Sequence, residues 1–233
     1  KHIFNQCNGI KSLEVAFSMA ILDLWCQQNN YPLYEYLNAD PMQAPHTSYT
    51  ISIGDIDLIS EKVNEGAPYS ILKVKLGMGV DKDKEIMKAI RLETDKIIRV
   101  DANEGWDLET GIEMCQWLSE KGVEFVEQPF KSTNLKDTAE LRKKSPLPLI
   151  ADENSLQSGD IPGIEGIFDG INIKLMKCGS LFEALRMIKM ARDRDMKIML
   201  GCMIESSIGI TAAAHLSPLV DYADLDGNLL INN

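Results

Sequence analysis

The chain has 233 residues, 45% of them apolar, and a formal net charge of −11. That is enough material for one sizeable core. An acidic chain without a basic cluster excludes nucleic acid as partner, because phosphate binding needs Lys and Arg gathered on one face. No apolar run reaches the roughly 18 residues of a membrane span, and the polar first residues carry no secretory pattern, so a cytoplasmic protein without a membrane partner is expected.

Residues 1–45 read as a helical segment leading into the main domain. Leu13, Val15, Ala16, Met19, Ala20, Leu22, Leu24 and Trp25 recur at helical spacing. Asn29-Asn30-Tyr31-Pro32 should end this helix, because proline disfavours the helical region in the residue before it. A short helix over Leu33–Leu37 and a linker over Pro41–His46 follow. No initiating Met is present, so a preceding segment is expected. The five cysteines (Cys7, Cys26, Cys115, Cys178, Cys202) are dispersed without CxxC spacing and read as reduced thiols.

From Ser48 onward, short apolar or β-branched runs alternate with helical patterns. The expected strands are Tyr49–Ile53, Ile71–Leu76, Ile97–Asp101, Phe125–Glu127, Leu149–Asp152, Gly170–Leu175, Lys197–Leu200 and Ala223–Asp226. The expected helices are Ile56–Asn64, Lys82–Leu92, Leu108–Lys121, Thr133–Lys143, Ser158–Gly163, Leu181–Arg194 and Ser207–Leu216. Gly159, Pro162 and Gly163 crowd the fifth of these. Eight strands separated by seven helical segments predict an α/β fold, a (β/α)7β TIM-like barrel over residues 46–228. An open doubly wound sheet is disfavoured, since Ile53-Gly54-Asp55 lacks the GxGxxG phosphate turn.

Active sites of such barrels lie at the carboxyl ends of the strands, so the residues there are the candidates. Strand side chains alternate with period two. Lys73 and Lys75 therefore share one direction, as do Asp101 and Asn103, Asn172 and Lys174, and Asp224 and Asp226. The residues between them are apolar. Charges at core-facing positions are costly unless they are paired or bind a metal. Asp101, Glu127 and Asp152 end three successive strands and suit a hard cation such as Mg²⁺. Strands two and six of eight lie across a barrel from each other, which would set Lys75 and Lys174 on either side of a substrate. A lysine base needs a lowered pKa, and Lys73 beside Lys75 would favour the neutral amine. Cys202 and Met203, just past the seventh strand, would either line a pocket or pack. His215 reads as structural, and Met87, Met114, Met187 and Met190 as core.

In order along the chain, these motifs resemble the enolase superfamily, in particular its muconate-lactonizing-enzyme-like subgroup. Lys73-Val74-Lys75 resembles the subgroup's KxK, and Val100-Asp101-Ala102-Asn103, Val126-Glu127-Gln128-Pro129 and Ala151-Asp152-Glu153 resemble its three metal-ligand motifs. Asn172-Ile173-Lys174 resembles its sixth-strand lysine motif, with Gly179-Ser180 in place of the usual Gly-Gly. Asp224-Leu225-Asp226-Gly227 is similar to the DxD of the dipeptide epimerases. Enolase-superfamily sites pair a Lys or His base with Mg²⁺ that stabilises an ene-diolate, so that chemistry comes with the resemblance rather than from the spacing.

The resemblance implies a dipeptide epimerase, an isomerase that moves the proton α to a carboxylate. One Mg²⁺ per subunit would be held by Asp101, Glu127 and Asp152, with Asn103 and Glu153 supporting those ligands. Lys75 and Lys174 would be the two acid/bases and Lys73 would tune Lys75. Asp224 and Asp226 would bind the ammonium of a small dipeptide substrate, with Cys202 and Met203 nearby. Alternatives are another reaction of the superfamily (cycloisomerase, o-succinylbenzoate-synthase-like or sugar-acid dehydratase) or an inactive, truncated barrel. Most of the family's capping domain is expected to lie outside this chain, with 229–233 the start of a C-terminal tail. The sequence leaves a homo-oligomer open.

Overall fold

The protein is described as a computed structural model covering residues 6–7, 9–52 and 56–231. The strands are β1 (Ser48–Ile51), β2 (Ile71–Lys75), β3 (Ile97–Asp101), β4 (Val123–Glu127), β5 (Leu149–Ala151), β6 (Gly170–Lys174), β7 (Lys197–Gly201) and β8 (Tyr222–Ala223). They form one eight-stranded sheet in the order β1 to β8. The pairs β1–β2, β2–β3, β3–β4, β4–β5 and β7–β8 are parallel. Parallel neighbours taken in chain order and joined by helices give the (β/α)7β barrel that the sequence predicts.

The helices are α1 (Lys11–Asn29), α2 (Leu33–Tyr36), α3 (Ile59–Glu65), α4 (Val80–Glu93), α5 (Leu108–Glu120), α6 (Leu135–Lys144), α7 (Ile161–Ile164), α8 (Leu175–Cys178), α9 (Leu181–Arg192) and α10 (Ser207–Ala214). Several boundaries differ from the sequence expectation for local reasons. The segment expected as one helix over Ser158–Gly163 begins as a 3-10 turn at Ser158–Asp160 before α7. The expected linker Pro41–His46 contains a 3-10 turn at Pro41–Gln43, which Asp40 caps by accepting from Met42 N at 2.9 Å. Asn30, not Pro32, ends α1. It adopts the left-handed conformation at φ 51° and its N–H closes onto the carbonyls of Cys26 and Gln27. Ser180, the departure from Gly-Gly, caps α9 by accepting from Glu183 N at 3.1 Å. Ile53, the expected end of the first strand, and the turn Ile53-Gly54-Asp55 lie outside the described residues.

The chain divides into two compact units, His46–Asn154 with Ile164–Gly170, and the chain up to Pro45 with Ser155–Gly163 and the chain from Ile171 on. The core of the first unit is strand-built. Leu72, Val74, Ile98, Val100, Phe125, Val126, Leu149 and Ile150 are fully buried, in continuous apolar runs as parallel strands covered on both faces require. Each such side chain contributes about 1.5–3 kcal/mol by leaving water. Met87 and Met114 join this core.

In the second unit α1 packs on α8 and α9. Val15 and Ser18 are buried there, and Ser18 Oγ accepts from Leu181 N at 3.3 Å. The broad apolar face expected of α1 is thus only partly covered, with Leu13, Phe17, Leu24 and Trp25 exposed. His215 stacks on Tyr34 at 5.8 Å between ring centroids. Burial lowers its pKa, in keeping with the structural role read from the sequence. No helix among the described residues is long and apolar enough to cross a membrane.

Candidate functional site

Parallel register assembles the first half of the site. Lys75 pairs with Asp101, Asp101 with Glu127, and Glu127 with Ile150. One row across the sheet therefore carries a lysine and two carboxylates. Asp152 stands two residues beyond Ile150, so the period-two alternation gives it the direction of Ile150. Asp101 ends β3, Glu127 ends β4, and Asp152 lies one residue past β5. All three carboxylates are buried, at 1%, 0% and 3% exposure.

Buried carboxylates need compensating charge, and lysines provide it. Lys73 Nζ lies 2.7 Å from Glu127 Oε2 and 3.4 Å from Asp101 Oδ2, with side-chain exposures of 3%, 0% and 2%. Lys75 Nζ donates to Asp101 Oδ2 at 3.1 Å and to Asn103 Oδ1 at 3.3 Å. Lys75 keeps a side-chain exposure of 35%. The two lysines of the KxK therefore differ. Lys73 is an internal counter-ion, whereas Lys75 bridges the acids and the open end of the strands. Asn103 N also donates to Asp101 Oδ1 at 3.0 Å.

Among the described residues no three His, Cys, Asp or Glu side chains are gathered closely enough to hold a metal ion. The donors expected for Mg²⁺ are nevertheless the right kind. They are hard carboxylate oxygens withheld from bulk water, and Asp101 and Glu127 are already balanced by positive charge. The residues present fit that cation in donor chemistry.

The backbone at these strand ends is strained. Asn103, Glu104 and Gln128 adopt φ of 46°, 60° and 35°, a left-handed conformation that costs about 1–3 kcal/mol per non-glycine residue and persists only where its surroundings enforce it. Cross-strand bonds enforce it here. Ala102 N donates to Glu127 O, Glu104 N to Gln128 O, Trp106 N to Pro129 O and Gln128 N to Ile150 O, all at 2.9–3.0 Å. Close approach adds a further demand at Gly77, whose φ is +102° and where a Cβ would stand 2.3 Å from Ala102 O.

In the second unit Lys174 ends β6 at 8% exposure, two residues after Asn172 at 1%. The expected strand Ala223–Asp226 is shorter than predicted, since β8 is only Tyr222–Ala223. Asp224 and Asp226 lie just past its end. Both are buried, at 4% and 2% exposure. Asp224 N still donates to Leu200 O at 2.9 Å, so the strand direction carries on without the full ladder. The following turn approaches β7 closely. A Cβ on Gly227 would stand 2.1 Å from Met203 O and 2.9 Å from Cys202 Sγ.

Cys202 is half-buried and Met203 exposed. Burial, reinforced by Asp224, pushes the Cys202 thiol up to about 12. A thiol so raised stays protonated near neutral pH and is no nucleophile. Alkylation of Cys202 by iodoacetamide near neutral pH should run on the order of 10²–10³-fold slower in the folded than in the urea-unfolded protein, read by peptide mass spectrometry. Equal rates would show that the thiolate forms in the fold.

The family model described as "Enolase C-terminal domain-like" matches residues 56–227. The chain belongs to that family. It is 44% identical over 222 residues to the L-Ala-D/L-Glu epimerase of Bacteroides thetaiotaomicron, covering 94% of this chain and 57% of that protein. It is 42% identical over 216 residues to the L-Ala-D/L-amino acid epimerase of Flavobacterium johnsoniae, covering 93% and 63%. A crystal structure of a dipeptide epimerase from Enterococcus faecalis superposes with a TM-score of 0.90 at 32% identity, covering 96% of this chain and 68% of that one. One from Cytophaga hutchinsonii, complexed with Mg and the dipeptide D-Ala-L-Val, superposes with 0.88 at 30% identity, covering 97% and 64%.

In this member of the enolase C-terminal domain-like family, sequence reasoning missed the group that links the segments after β4 and β5. Gln128, at 1% exposure, accepts from Asp152 N through Oε1 at 2.9 Å and donates through Nε2 to Phe130 O and Asn154 Oδ1, at 2.9 and 2.8 Å. Asn154 in turn donates to Ser132 O at 2.8 Å. Glu104 Oε1 accepts from Ser132 N at 2.6 Å. An available signal was the polar residue directly after Glu127, at a position where the next apolar packing residue was due. Of the two supporting groups that were expected, Asn103 meets Lys75 and Asp101, while Glu153 is half-buried.

Proposed function

We propose that this protein epimerises dipeptides by transferring the proton on the carbon α to a carboxylate. The observation that carries the reading is the row Lys75–Asp101–Glu127, its two acids buried and Lys73 locked between them. The names of the relatives support it, as does the Mg-and-dipeptide complex of the Cytophaga protein. The chain spans 57% and 63% of the two curated relatives' lengths, so the activity belongs to the whole protein. Residues 46–228 would form its catalytic domain.

Asp101, Glu127 and Asp152 would hold one Mg²⁺ per subunit. When bound, the cation supplies positive charge to the substrate carboxylate and so stabilises the charge left by the departing α-proton. Lys75 and Lys174 are the two acid/base groups. One removes the α-proton of a given epimer, the other delivers a proton to the opposite side of the same carbon, and the centre inverts. For the other epimer the roles exchange. Asn103, by accepting from Lys75 Nζ, fixes where that amine points. Asp224 and Asp226, two carboxylates withheld from water, suit the substrate's ammonium. Cys202 and Met203 border that end of the pocket, and Cys202 does so as a neutral thiol.

The test is exchange in deuterated water. The full-length protein with Mg²⁺, given a panel of dipeptides, is expected to place solvent deuterium at one α-carbon and to produce the second epimer. Incorporation into no dipeptide, with loss of water from sugar acids instead, would move the reading to a dehydratase of the same fold.

A further inference from the structure

The mechanism above makes no use of Asp83, a carboxylate at 0% exposure in the first turn of α4. Its partners are unusual for a helix acid. Gly77 N donates to both of its oxygens, at 3.1 and 3.0 Å, and Met78 N donates to Oδ1 at 2.9 Å. The Trp106 indole N–H donates to Oδ2 at 2.8 Å. One buried carboxylate thus collects two backbone amides from the turn after β2 and a side-chain donor from the turn after β3.

Those two turns carry the two ends of the Lys75 arrangement. Lys75 is the last residue of β2, and the next two amides are both tied, Leu76 N to Asp101 O at 2.8 Å and Gly77 N to Asp83. The head of Lys75 rests on Asp101 and Asn103, the residues that lead into the turn ending at Trp106. Trp106 is buried at 6% exposure and its own N–H is tied to Pro129 O at 3.0 Å. Root and acceptors of the same lysine are therefore set by one anion. A neutral side chain could not serve all these donors, since an amide presents a single acceptor oxygen and sets its NH2 against an N–H.

Resting on the proposed epimerase reading, we infer that Asp83 is a positioning residue for Lys75. It holds the turns after β2 and β3 in the one relation that puts the amine at its working place. Misplacement by about 1 Å can cost on the order of 10²-fold in rate, and the loss falls only on the step that Lys75 performs.

The experiment compares Asp83→Asn with the parent, full-length and with Mg²⁺, by following α-deuterium uptake separately from each epimer of a turned-over dipeptide. The epimer served by Lys75 is the one whose exchange Lys75→Ala abolishes. Asp83→Asn is expected to slow exchange of that epimer by about 100-fold. It should leave the other epimer within about threefold and both KM values nearly unchanged. Equal slowing of both epimers would reduce Asp83 to a general support of the fold, and no slowing would remove it from the site; either result overturns the inference. Should Asp83→Asn fail to fold, Trp106→Phe removes one donor while keeping an aromatic side chain. It is expected to show the same one-sided loss, on the order of tenfold.

NMR provides a reading independent of turnover. In either variant the Asn103 side-chain amide and the Lys75 backbone amide should shift while β6 to β8 resonances stay in place. Unmoved Lys75 and Asn103 signals would sink the inference even if the dipeptide chemistry holds. Shifted signals in a protein that exchanges no dipeptide would leave the positioning intact and remove the epimerase reading.

Discussion

Lys75→Ala and Lys174→Ala should each lower epimerisation by roughly 10²–10⁴-fold, the range general acid–base groups contribute. The more informative result is what each variant keeps. With one lysine removed, the other can still take the α-proton from its own epimer and return a deuteron from solvent to the same side. Each variant should therefore exchange a single epimer without inverting it, and the two variants should exchange opposite ones. Proton NMR of the α-signal, recorded separately from each pure epimer, reads this directly. Normal turnover in either variant would show that the two-base assignment is wrong. The prediction treats the lysines alike although their settings differ. Lys75 is held by Asp101 and Asn103 at 35% side-chain exposure, whereas Lys174 is buried at the end of β6.

Lys73→Ala should be the most damaging change to stability. Lys73 is enclosed, and its ammonium is shared by two carboxylates that are themselves shut off from water. Removing it takes the buried counter-charge from Glu127 and leaves Asp101 to its second cation, Lys75. Loss of one partner from such a buried pair costs about 3–5 kcal/mol, a large part of the 5–15 kcal/mol typical of a domain. Urea unfolding of the cation-free protein measures it. Saturating Mg²⁺ should restore about 2.7 kcal/mol at a concentration 100 times its Kd, because a ligand of the folded state alone stabilises by mass action. At that same absolute concentration the parent should gain less, since there Lys73 already neutralises the acids and weakens cation binding. A Lys73→Ala protein as stable as the parent without Mg²⁺ would show that the buried pair carries little of the fold's stability.

The arrangement of strand ends was readable from local pattern to different depths. Asp101 and Glu127 end their strands as expected because parallel strands buried on both faces are nearly continuous in apolar residues, and a charge interrupting such a run stands out. The β8 region reads less well. Its strand stops at Ala223, yet Asp224 N still bonds to Leu200 O and both Asp224 and Asp226 are buried. α1 shows the reverse failure. Its apolar residues point around much of the helix, and periodicity cannot say which side meets α8 and α9.

The amino-acid sequence alone determined the order of strands and helices, the period-two placement of Lys73, Lys75, Asp101, Lys174 and the DxD pair, and the hard-oxygen character of the acids. These are local properties, written within a few neighbouring residues. Only the tertiary structure decided that Lys73 is a locked counter-ion while Lys75 reaches outward, that Gln128 links the segments after β4 and β5, and that Asp83 joins two turns. Each of those rests on partners more than 20 residues apart, such as Lys75 with Asp101, Gln128 with Asp152 and Asp83 with Trp106. Such pairs meet only once the sheet register is set. Register is fixed by how all the strands bury their apolar faces together, a collective quantity that no single segment carries.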